Sequence, residues 1–363
     1  MLLYQIALTL VPGIGDVLGK KLVKCCGSAE AVFREKKKLL SRIPRIGHKI
    51  LEALSDQGIL ERARQELEFV EKFRIRPLFF LDKDYPFRLK NCIDSPIMLY
   101  YKGIADLNAS RIIGVVGTRN ATEYGKSACH GIISDLAQER VIIVSGLAYG
   151  IDSCAHRAAL EHDLETIGVL GHGLDRIYPS QNKSLAEKML KSGGLLTDFS
   201  SNTRPDRENF PRRNRIIAGI CDAIVVVEAA HKGGALITAE IANSYNRDVF
   251  AIPGRINDLY SEGTNQLIRQ NKAALIQSAD DIRYMMGWEQ ITKKPDGFQK
   301  KIFLEMTPEE TLLVDFLNRN GSSGIDDISI QCSLNMSKTS AALLNLEFEG
   351  IVKSMPGKIY ALT

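Results

Sequence analysis

From Arg111 onward the chain alternates short apolar runs with longer amphipathic ones. The short runs are Ile112–Val116, Val141–Val144, Thr166–Leu170, Leu195–Thr197, Ala223–Val227, Asp248–Ala251 and Ala274–Ile276. They are too short for helices and lack the polar alternation of half-exposed strands. Such runs suit strands buried on both faces. Helical patterns lie between them. This rhythm predicts an α/β fold: an extended Rossmann-like, mostly parallel sheet with helices on both sides. Upstream, PLFFL and SPIMLYYKG flank DKDYPFRL and predict two more strands joined by a Pro-bearing connection, added as an edge. The Rossmann-like domain is expected over residues 77–287.

Residues 1–76 read as short helices with tight turns, a helical helix-hairpin-helix/SAM-like module. LVPGIGDVLGKKLV, Leu10–Val23, places Pro-Gly-Ile-Gly between two helical patterns. Its glycines allow backbone N–H groups to approach a phosphate, and Lys20 and Lys21 follow. Ile43–Leu51, IPRIGHKIL, is a second copy in which Arg45 replaces the first glycine. The pair serves either as a DNA contact or as a packing motif. Lys36–Lys38 reads as a solvated helix face. Residues 288–306 form a polar linker. Residues 307–363 fit a winged helix: helices at Pro308–Asn320, Gly324–Cys332 and Met336–Gly350, then strands Ile351–Ser354 and Lys358–Ala361.

Composition sharpens this outline. The chain has 363 residues, 45% hydrophobic and 25% charged, enough for two or three domains. Seven scattered cysteines form no CxxC pair, so neither zinc nor a disulfide framework is indicated. A reducing, cytoplasmic setting is expected, as are no membrane span, no metal and no cofactor. Net charge is only +4, unevenly spread: Lys and Arg against Asp and Glu number 15 to 9 over residues 1–76, 26 to 26 over 77–299, and 6 to 8 over 300–363. The acidic C-terminal piece suits a partner-docking or regulatory module better than DNA.

The loops after the predicted strands share one chemistry. They contain Gly117-Thr118-Arg119, Ser145-Gly146, Gly171-His172-Gly173 and His231-Lys232-Gly233. Several glycine turns on one rim suit a run of phosphates. The connection Asp198–Gly219 carries Arg204, Arg207, Arg212, Arg213 and Arg215, with Asn214, around Phe210. Arginines about a loop aromatic can grip phosphates while the ring stacks on a base.

Catalytic readings are weaker. Asp152 and His156 lie four apart at a helix start, a possible acid–base pair, but no nucleophile accompanies them. GTRNATEYG is not G-x-G-x-x-G, and no acidic residue ends the second strand, so a dinucleotide site is not indicated.

GVVGTRN, SGLAYGIDSCAHRAAL, GHGLDRIYPSQN, NFPRRNRIIAG, VVEAAHKGGALITA and PGR…GTNQLI, in this order, resemble the DNA-processing protein DprA (Smf) family. The resemblance implies a single-stranded DNA-binding protein that homodimerises through the Rossmann-like domain. It also implies that the protein protects incoming strands and loads the RecA recombinase in natural transformation, without chemistry of its own. Arg119 would contact phosphate, and Arg207 and Phe210 would face DNA. The fold also resembles nucleoside-monophosphate phosphoribohydrolases, nucleotide-binding enzymes with a catalytic glutamate. KGGALITAE keeps that glutamate as Glu240 but lacks the second Gly-Thr of their loop.

Overall fold

The computed structural model describes residues 1–288, 306–355 and 358–362. The chain divides into two compact units, Met1–Glu289 and Gln290–Thr363. The linker expected at 288–306 falls, apart from its two end residues, outside the described residues.

The first unit opens with six helices: α1 (Leu2–Leu10), α2 (Asp16–Cys26), α3 (Ala29–Arg34), α4 (Lys37–Leu40), α5 (His48–Ala53) and α6 (Gln57–Lys72). The turns before α2 and α5 are conformational twins. Gly13 and Arg45 both take left-handed φ, 84° and 76°. Gly15 and Gly47 then N-cap the two helices with ψ of 176° in each. Ile14 and Ile46 are buried between them. The second copy therefore keeps its backbone although arginine has replaced glycine, at a cost of roughly 1–2 kcal/mol for a side chain in that region.

A sheet follows, built from β1 (Arg76–Phe79), α7 (Phe87–Lys90), β2 (Met98–Gly103), β3 (Ile112–Val116), α8 (Glu123–Asp135), β4 (Ile142–Ser145), α9 (Ile151–Glu161), β5 (Thr166–Val169), α10 (Lys183–Ser192), β6 (Gly194–Thr197), α11 (Asn209–Ile220), β7 (Ala223–Val226), α12 (Gly234–Ser244), β8 (Asp248–Ala251), α13 (Glu262–Arg269), β9 (Ala274–Leu275) and α14 (Ala279–Met285). The strand order is β1-β2-β6-β5-β4-β3-β7-β8-β9. Strands β3 to β9 run parallel. The first two form the expected added edge: β2 pairs antiparallel with β6, and β1 with β2. Successive residues of β3 point to opposite layers. Ile112 and Val116 face α11 and α12, while Ile113 and Val115 face α8 and α9. The order reverses at β3, which has β4 on one side and β7 on the other, so a crevice opens beyond its C-terminal end.

The helices and the sheet share a core, in which Phe79, Met98 and Tyr100 pack with Ile6, Leu22 and Val70. Two buried polar clasps cross the same junction. Arg215 reaches Asp198 at 2.7 Å and Asp16 at 2.9 Å, while Asp16 also accepts from the Ile97 N–H at 2.8 Å. Glu66 accepts from the Ser201 N–H and hydroxyl, and from Arg62. Lys20 donates to Ser95, and burial lowers its pKa. Its ammonium is thus engaged inside the unit.

The second unit comprises α15 (Pro308–Asn320), β10 (Ser323–Gly324), α16 (Ile325–Gln331), α17 (Met336–Phe348), β11 (Val352–Met355) and β12 (Ile359–Leu362), with sheet order β10-β12-β11. This is a winged helix. Thr307 and Glu310 form a capping box at the start of α15. The short strand β10 is absent from the sequence expectation, because two residues carry no periodicity. Lys338 of α17 pairs with Glu309 at 3.3 Å.

Replacing Arg215 by Met leaves the buried Asp198 carboxylate, and the partly exposed Asp16 beside it, without their cation. A loss of about 3–5 kcal/mol is expected. It should appear as a lower urea midpoint at unchanged slope.

Candidate nucleic-acid interface

The loops after β3 and β7 bracket a cavity of about 230 Å³. Its floor is backbone. A Cβ on Gly117 would meet Ile151 at 2.5 Å, and one on Gly150, whose φ is 77°, would meet the Thr118 carbonyl oxygen at 2.2 Å. Both glycines therefore let the β3 loop lie directly on the start of α9. Thr118 N–H donates to the Glu228 carbonyl at 2.8 Å, and its own carbonyl accepts from Ile151 N–H at 3.1 Å. The buried Glu228 carboxylate accepts from Thr122 N–H and hydroxyl, fixing the start of α8.

First-turn residues of three helices line this cavity, Asp152 of α9, Phe210 of α11, and Gly234 and Ala235 of α12, with Arg213 one turn further along α11. Their free N–H groups and partial positive charge favour an anion. Lys232 and Arg119, both exposed, stand at the mouth. The Arg119 guanidinium lies 5.3 Å from the centre of the Phe210 ring. That ring is half-buried, seated 3.1 Å from where a Cβ on Gly171 would lie. It stacks on Tyr178 with centroids 6.0 Å apart. Arg119 also lines a neighbouring cavity of about 680 Å³ with Lys126, Tyr149 and Arg157.

The expected residues thus divide. Gly117, Thr118, Arg119, Phe210, Lys232 and Gly233 meet at the first cavity. Arg204, Arg207 and Arg212 are exposed outside its lining, and Arg212 lies over Phe199 at 5.5 Å. Ser145 is fully buried and donates to the Val115 carbonyl at 2.6 Å, so its hydroxyl is not available at the surface. Arg213 is also a correction. It is 4% exposed and donates to the carbonyls of Gly146 and Val169. Burial pulls its pKa down to about 10. Asn214 is turned inward as well, donating to Gly234 O at 3.2 Å. Gly146, Gly171 and Gly173 lie under this layer, so the expected continuous rim of exposed glycines is interrupted.

The acid–base pair does not face solvent either. His156 is fully buried, with Nδ1 2.6 Å from the Thr166 hydroxyl. His172 is buried against the Gly173 carbonyl. Asp152 lines the cavity, and burial raises its pKa, opposed by Arg213. Glu240 is exposed, 3.5 Å from Lys272 and away from the cavity, so the phosphoribohydrolase reading is not favoured. Sequence reasoning missed Tyr178, Tyr149, Lys126 and Arg157. An aromatic directly before Pro179 in a loop was the one available signal.

A family model described as DNA recombination-mediator protein A matches residues 76–287, and a DprA winged helix domain matches 305–358. The chain belongs to the DprA/Smf family. Protein Smf of Synechocystis is 33% identical over 98% of this chain and 98% of its own. DNA processing protein DprA of Bacillus subtilis is 43% identical over 55% of this chain and 67% of its own. The crystal structure of DprA from Streptococcus pneumoniae superposes with a TM-score of 0.65 at 34% identity, covering 78% of this chain and 98% of that one. A DprA structure from Helicobacter pylori, described by its single-stranded DNA binding mode, gives 0.54 at 28% identity over 60% of this chain and 97% of that one. Among the described residues no helix is long and apolar enough to cross a membrane.

Burial pulls the His156 pKa from 6.5 down to about 3. Below pH 6.5 the unfolded chain takes up a proton that the folded one refuses. This group therefore removes stability as pH falls, by up to about 1.4 kcal/mol per unit. His156→Gln should flatten the drop in urea midpoint between about pH 7 and about pH 5.

Proposed function

We propose that this chain binds single-stranded DNA in the groove formed by the β3 and β7 loops. It passes the strand to a RecA recombinase during DNA processing in transformation. The observation that carries this reading is the meeting, at one crevice, of exposed cations, helix N-termini and a half-exposed aromatic pair. Arg119 and Lys232 supply charge, the turn at Gly233 and the start of α12 supply backbone donors, and Phe210 with Tyr178 supplies a stacking face. Cations and rings without a base-reading side-chain set describe a single-strand binder of low sequence preference. The single-strand binding named for the Helicobacter pylori relative supports the same substrate. Arg204 and Arg207 extend the positive surface along the loop into α11. Family membership supports hand-over to RecA and a homodimer through the Rossmann-like domain, and a role in binding rather than reaction. The winged helix, whose Lys338 is paired with Glu309, acts on a partner.

Arg119→Ala is expected to weaken binding to all single-stranded sequences alike and to lower the slope of log K on log salt by about 0.7. An unchanged gel shift at moderate salt would sink the assignment. Phe210→Ala should cost about 1–3 kcal/mol in affinity, measured by fluorescence anisotropy on oligothymidine. A chain ending before Thr307 should keep its single-strand affinity, and a collapse there would show that the winged helix binds the strand.

A further inference from the structure

The cavity of about 680 Å³ beside the groove has one thiol in its wall, Cys154 of α9. Cys154 is half-buried, and its sulfur lies 3.7 Å from the Lys126 carbonyl of α8. Cys129, further along α8, is buried beside it and donates a hydrogen bond to its sulfur. Three full cations line the same cavity, Arg119, Lys126 and Arg157, against one carboxylate, Glu161. Glu161 lies 3.2 Å from His130, and Lys126 pairs with Glu123 at 2.6 Å. Arg119 and Arg157 enter no ion pair among the described residues, so the cavity keeps an excess of positive charge. That setting separates Cys154 from the other cysteines. Cys92, Cys129 and Cys221 are buried, and burial pushes the thiols of Cys26 and Cys332 up. The Cys154 thiol is instead pulled down to about 7, first by the hydrogen bond from Cys129 and then, against burial, by Arg157, His130 and Lys126. A thiol so placed is nucleophilic near neutral pH.

We propose that Cys154 is a modification site, where the thiolate exchanges with an anionic low-molecular-weight disulfide seated in this cavity. The volume suits a small molecule, and the surplus cations select its charge. The thiolate attacks one sulfur of the ligand. The ligand's S–S bond breaks, and a new S–S bond joins Cys154 to one half. The other half leaves as a thiolate with the electron pair of the broken bond and takes up a proton from water. The Cys154 sulfur is oxidised and the departing sulfur reduced, so the ligand itself is the oxidant. The Cys129 S–H steadies the attacking thiolate and is too buried to meet the ligand first. Arg119 borders both this cavity and the single-strand groove, but the exchange does not depend on strand binding.

The test incubates the full chain with oxidised glutathione near neutral pH and locates the adduct by peptide mass mapping. One glutathionyl group should appear on Cys154 well ahead of Cys25, an exposed thiol that serves as the internal comparison. A reducing agent should remove it. Arg157 is exposed, so Arg157→Glu leaves the core untouched. That variant should react about tenfold or more slowly with oxidised glutathione, and lose distinctly less with uncharged hydroxyethyl disulfide. Labelling of Cys25 as fast as Cys154 overturns the proposal, as does an internal Cys129–Cys154 disulfide in place of the adduct. An Arg157→Glu rate that is unchanged, or that falls equally with both reagents, overturns it as well.

Discussion

Arg213 holds a full positive charge inside the protein, and the groove is arranged around it. Its guanidinium grips the carbonyl of Gly146 at 2.6 Å and that of Val169, at the C-terminal ends of neighbouring strands. A Cβ on Gly146 would overlap that guanidinium, so glycine is required there. Nearby lies the buried Asp152 carboxylate, which favours the charged arginine, while desolvation opposes it. A buried cation is tolerable when its donors are met by carbonyls and a carboxylate sits close by. With Arg213 fixed, the first turn of α11 is fixed, and Phe210 one turn earlier is delivered to the mouth of the cavity.

The same economy holds the helical module to the sheet. Arg215 sits two residues beyond Arg213 on α11 and ties Asp16 to Asp198. One helix therefore positions the groove with one face and the N-terminal helices with another. The shared core of Tyr100, Met98 and Leu22 makes the junction apolar around these charges. The winged helix, by contrast, has a core of its own, centred on Leu313, Leu343 and Leu346.

The sheet was legible because its strands are uniformly apolar and its turns are marked by glycine. Edges blurred by one or two residues, as at Val141, where burial and hydrogen bonding do not coincide. The site was only half legible. Residues 209–215 read as one basic cluster, but α11 begins at Asn209, so Arg212 turns out while Arg213, Asn214 and Arg215 turn in. Helical periodicity was hidden because the inward face is itself polar. Ser145 failed for a related reason: a hydroxyl at a strand end can serve a neighbouring carbonyl as readily as a ligand. Arg45 was read as a lost glycine, although the backbone there is the same as in the first hairpin.

Arg119 lies over the Phe210 ring. A base that stacks on that face must displace the guanidinium, and a displaced guanidinium is free to swing to the backbone of the same nucleotide. Grip and stacking are then two halves of one exchange rather than separate contacts. Their energies would couple in a double-mutant cycle, so neither residue's substitution alone would measure its own contribution.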